Sequence, residues 1–176
     1  MIHESSYWKR DLLKVSDRLE RRLVQTRWGQ KNLYALEKEI FIGFYSVRKL
    51  IESRKVSSSM KSKTYEVMQF SYRGCPESIL GDLAEDAYDF SKANKRRVSI
   101  HQLCNQFIHS HYFVPFLPNG RNLTGFFFCS DRERRSCIYL ITMFDVIDIY
   151  RAIGNNYPAT LCAGRLPNGG FFKTVE

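Results

Sequence analysis

Apolar residues recur in helical steps at the start of the chain. Trp8, Leu12, Val15, Leu19 and Leu23 are spaced by four, three, four and four, which lines them along one helix face. Trp28-Gly29-Gln30 predicts a break, because glycine is common just past a helix end. Leu33, Leu36, Ile40, Phe44, Val47 and Ile51 then form a second stripe, which Phe41 and Leu50 widen. Two long helices joined by so short a break predict an antiparallel hairpin over residues 1–56.

The pattern then shortens. Residues 64–72 alternate imperfectly and are rich in β-formers, predicting a strand, and an acidic connector through Glu85, Asp86 and Asp89 reads as loop or short helix. Ile100, Leu103, Phe107 and Ile108 predict a further helix over residues 99–114, with Ser99 as its N-cap and Gln102 suited to a capping box. Residues 123–130 and 136–142 read as a hairpin around the charged tip Asp131-Arg132-Glu133-Arg134-Arg135. A short helix over residues 144–153 follows, and Phe171 and Phe172 suggest an edge strand. Leu-Pro-Asn-Gly occurs at 117–120 and again at 166–169, a shared turn solution rather than a repeat. The expected fold class is α+β in one domain of 176 residues: a mainly helical bundle carrying a small antiparallel β-hairpin sheet.

Composition bounds this picture. Hydrophobic residues at 44 % and charged residues at 26 % suit a folded core and exclude general disorder. No apolar run is long enough to cross a membrane, and the first residues lack the apolar stretch of a secretion signal, so the expectation is a cytoplasmic protein without a membrane partner. Five scattered cysteines form no CxxC pair, which suits reduced thiols, no metal and no cofactor. GxxxxGK[ST], GxGxxG and GxSxG are all missing from the sequence.

The net charge is +9, and residues 1–63 carry 15 basic against 7 acidic residues. Such an excess attracts polyanions by neutralising phosphates, or else forms a solvated face. Lys14, Arg18, Arg21 and Arg22 on the first helix, Arg97, and Arg132, Arg134 and Arg135 at the hairpin tip are the candidate nucleic-acid contacts.

Candidate chemistry gathers at His101-Gln-Leu-Cys104-Asn105-Gln-Phe-Ile-His109-Ser-His111. On one helix, His101, Asn105 and His109 fall four apart and share a face beside the apolar positions. Histidine exchanges protons near neutral pH, and asparagine can orient a neighbouring group. Cys104 fits either a nucleophile beside a histidine or a buried small side chain next to Leu103 and Phe107.

Residues 104–109 resemble the Arg-Asn-x-x-x-His motif of the HEPN superfamily, with Cys104 in place of the arginine. Arg96 to His101 is a second, overlapping match to the arginine–histidine gap. The resemblance implies a helical bundle and RNA as partner. It implies metal-independent endoribonuclease activity, or a degenerate form of it, in prokaryotic defence or a toxin–antitoxin system, with the site assembled in a homodimer. It carries His109 and Asn105 over as catalytic residues, and Arg96 or His101 would complete the site. The same residues also suit a polar seam between helices, with no catalysis. The other function class is a non-enzymatic module that binds a protein partner, as an immunity, antitoxin or accessory subunit.

Overall fold

The computed structural model describes residues 2–74, 85–165 and 171–175. Their elements run α1 (Ser5–Arg22), α2 (Gln30–Glu52), α3 (Ser58–Lys61), β1 (Thr64–Ser71), a 3₁₀ turn (Glu85–Ala87), β2 (Asn94–Ser99) and α4 (Ile100–Ile108). The chain continues through β3 (Ser110–Phe116), β4 (Gly125–Ser130), β5 (Cys137–Thr142), α5 (Met143–Gly154), β6 (Leu161–Arg165) and β7 (Phe171–Val175).

Five strands form one antiparallel sheet in the order β2-β1-β5-β4-β3, and β6 pairs with β7 in a separate hairpin. The expected mainly helical bundle with a small hairpin sheet is therefore overturned: the centre of the fold is a five-stranded sheet, with helices layered on one face. The helical-bundle architecture implied by the HEPN resemblance goes with it. Two strands escaped the hydrophobic pattern. β2 reads Asn-Lys-Arg-Arg-Val-Ser and buries only Val98 well, because an edge strand can carry charge on both faces. β3 begins two residues after α4 ends, so its apolar residues look like further turns of the same helix.

The core lies between sheet and helices. Phe107 of α4 stacks between Phe44 of α2, at 4.0 Å, and Phe128 of β4, at 4.3 Å, which binds three elements into one column. The first two helices are antiparallel, as Arg18 and Arg22 reach Glu39 while Trp8 and Val15 lie against Ile42 and Ser46. The far side of α1 packs along α5, where Arg151 is bonded to Glu20. On the opposite face of the sheet, Phe70, Tyr88, Tyr112, Cys129 and Ile138 form a second, smaller cluster.

The helix α4 is what positions the candidate chemistry. Its start is fixed by a complete capping box: the Gln102 amide N–H donates to the Ser99 hydroxyl, and the Ser99 N–H donates to the Gln102 side chain. It ends at Ile108, earlier than expected, and His109 is its C-cap. The topology forces a crossing, since β2 and β3 are opposite edges and α4 spans the sheet between them.

Candidate functional site

Beside α4 lies a cleft of about 780 Å³ lined by Arg48 of α2, by Gln102, Asn105, Gln106 and His109 of α4, and by residues 130–133 of the β4–β5 turn. Gln106 is buried, and its side-chain oxygen accepts the Ser130 N–H at 2.7 Å. The Asp131 N–H donates to the His109 carbonyl at 3.1 Å. These two bonds pin the start of the turn to the end of α4, so His109 and Arg132 share one rim.

His109 is exposed, and no side-chain hydrogen bond engages its imidazole among the described residues. The helix stripe expected for His101, Asn105 and His109 is only part of the picture. Asn105 approaches Nδ1 of His101 at 3.5 Å, while His109 turns off the helix at φ −107°. His101 is exposed and does not line the cleft. Cys104 points the other way, into the core, where burial pushes its thiol up to about 12. That answers the question of a nucleophile: a thiol sealed there is packing. It also leaves the motif's cation position empty of charge.

Arg96 is held on β2, on the helix-covered face, at the edge of a smaller recess that shares Gln102, Gln106 and Glu133 with the cleft. Its guanidinium donates to the Tyr139 hydroxyl at 3.0 Å and stacks 5.7 Å from that ring. The Tyr139 hydroxyl in turn donates to Glu133 at 2.5 Å, and burial pushes this phenol far above its ordinary value. Arg96 is thus a support of the turn. Sequence reasoning missed Glu133, Tyr139, Gln106 and Arg48, because they come together only through the sheet and the α2–α4 packing; Glu133 was visible only as a charge at a hairpin tip.

The candidate nucleic-acid contacts separate by what already engages them. Glu39 takes Arg18 at 2.6 Å and Arg22 at 3.1 Å, so these two arginines lock α1 to α2. Lys14 lies 3.5 Å from Asp11 on its own helix, and Arg21 is exposed. Arg97 projects from the other face of β2 from Arg96, opposite Glu66. At the turn, Arg134 bonds to Asp131 at 3.1 Å and to His111 at 3.2 Å. A bulge between Ser110 and Tyr112 directs His111 there, so His111 belongs to a strand rather than to the expected helix. Arg132 and Arg135 are exposed on the turn. No cluster of histidine, cysteine or carboxylate side chains suited to a metal occurs among the described residues.

No family model matches this chain, and neither a curated protein nor a solved structure matches it.

Proposed function

We propose that this chain is an RNA-binding protein that holds the phosphodiester backbone in the cleft beside α4. One observation carries the reading: the unengaged imidazole of His109 opens onto the same cleft as Arg132, with Arg48, already paired to Glu52 at 2.6 Å, on its wall. A phosphate is a ligand that uses the guanidinium of Arg132 and a proton-exchanging ring at once, since the cleft's two carboxylates, Asp131 and Glu133, are already engaged by Arg134 and Tyr139. The overall charge of +9 draws a polyanion toward it.

The chemistry available there is metal-independent cleavage of the kind the HEPN resemblance implies. His109 takes the proton of an RNA 2′-hydroxyl, the 2′-oxygen bonds to phosphorus as the bond to the 5′-oxygen breaks, and the 5′-oxygen takes a proton from water, whose hydroxide recovers the proton held by His109. Arg132 holds the charge that develops on the phosphoryl oxygens, and Arg48, which shares its guanidinium with Glu52, adds positive potential. The prokaryotic defence setting belongs to this proposal through the resemblance alone.

The test is incubation of single-stranded RNA with the protein in EDTA, beside His109→Ala. His109 is exposed, so the variant keeps its circular dichroism spectrum. Cleavage that survives the chelator and falls at least 100-fold in the variant supports catalysis; binding without cleavage in both proteins reduces the proposal to RNA binding. An absence of binding refutes it. A second reading, docking of a protein partner, draws on the apolar groove of about 740 Å³ over the other sheet face, lined by Phe70, Phe90, Phe116 and Phe127 among others.

A further inference from the structure

The helix α2 is apolar on two opposite sides. Leu36, Ile40, Phe44, Val47 and Ile51 fill the core, yet the outward side carries Tyr34 at 63 %, Ile42 at 56 % and Tyr45 at 42 % exposure. A helix that merely covers a core has a polar outer side. Here the aromatic rings alternate with cations: Lys31 precedes Tyr34, Lys38 lies one turn on, and Lys49, paired with Glu52 at 3.3 Å, sits 5.5 Å from the Tyr45 ring. No ion pair occupies Lys31 or Lys38 among the described residues.

We infer that the outward face of α2 is a stacking track for single-stranded RNA that leads into the His109 cleft. The inference rests on the RNA-binding reading above and extends it by naming the strandedness of the ligand. Continuity with the cleft is the first support. The hollow beside Tyr45, about 320 Å³, is lined by Phe41, Ile42, Phe107, Ile108 and Ser110, next along the chain from His109, and Arg48 on α2 itself lines the cleft. Charge decides the occupant. A second copy of this chain would bring the same lysines against one another, and lysine is depleted from protein interfaces. A single strand supplies what the face lacks, flat apolar bases for the tyrosines and phosphates for the lysines. Tyr34 and Tyr45 are three helical turns apart, ~16 Å along the axis, the reach of a few nucleotides. A duplex, whose bases are already stacked on each other, has no free rings to offer.

The experiment is fluorescence anisotropy of labelled oligouridine and of a perfect RNA duplex, with the full chain, a Tyr34→Ala/Tyr45→Ala variant, a Tyr34→Phe/Tyr45→Phe variant and Arg132→Ala. Removal of the rings is expected to weaken oligouridine binding about 5- to 150-fold for each ring, the phenylalanine pair to restore it, and duplex affinity to be low and unchanged. If Arg132→Ala weakens binding but the alanine pair does not, the track is refuted and the cleft reading stands. If the full chain binds no RNA, both fall. If light scattering finds the full chain dimeric and the alanine pair monomeric, the face is an interface between copies and the track is refuted. Circular dichroism of the variants checks that these exposed substitutions leave the fold intact.

Discussion

At single residues, close packing and the few buried polar groups set the consequences. Gly43 lies on α2 where Tyr150 crosses it, and a Cβ there would fall inside the contact distance of the Tyr150 ring. Glycine to alanine in a helix interior ordinarily gains roughly 1 kcal/mol; here the displaced ring also donates its buried hydroxyl to the Ile40 carbonyl, so the clash wins. Gly43→Ala is expected to cost about 1–3 kcal/mol in urea denaturation, the opposite sign to the propensity. Gln106 makes the second case. Gln106→Leu keeps the volume but strips the acceptor from the buried Ser130 N–H, which is expected to cost about 1–3 kcal/mol and to raise amide exchange at Ser130 and Asp131.

At the level of elements, the β4–β5 turn depends on support from beneath. Glu133 accepts from Tyr139, and Tyr139 accepts from Arg96. Tyr139→Phe, which removes the link between Glu133 and Arg96 without changing the charge of the cleft, is expected to leave the sheet folded and to weaken RNA binding through a misplaced Arg132, an effect that would be missing if the turn were set by its own backbone. The contact of α1 with α5 is electrostatic at its rim: the hydrogen bond from Arg151 holds the Glu20 carboxyl below its usual value. A lowered carboxylate stabilises the fold above its unfolded value, and that gain is lost as pH falls through the folded one. Thermal midpoints are expected to be level between about pH 5 and 8 and to drop below that range, with a shallower drop in Arg151→Ala. These elements were unequally legible. Repeated helical spacing exposed α1 and α2, while short runs of apolar β-formers around a charged turn exposed β4 and β5, which are buried on both faces. β2 hid because Arg96 and Arg97 look like linker charge, and β3 hid because nothing marks the helix end at Ile108. Of the site, His109 and Asn105 announced themselves by residue type, but Arg48 reaches the same cleft only through the packing of α2 on α4.

For the molecule as a whole, charge placed where a cleft can use it matters more than charge in excess. Arg18 and Arg22 contribute to the +9 but serve the helix pair. Counterion release predicts that RNA affinity falls steeply with salt, by a slope of about 0.7 per phosphate contact on a single strand. Arg97 provides the control, since it stands on the far face of the sheet from the cleft. The most direct measurement is therefore the salt dependence of oligouridine binding for the unaltered chain, Arg132→Ala and Arg97→Ala. The expected result is a weaker affinity and a slope reduced by about 0.7 for Arg132→Ala alone. Equal losses for both arginines, or none for either, would contradict a phosphate site in the His109 cleft.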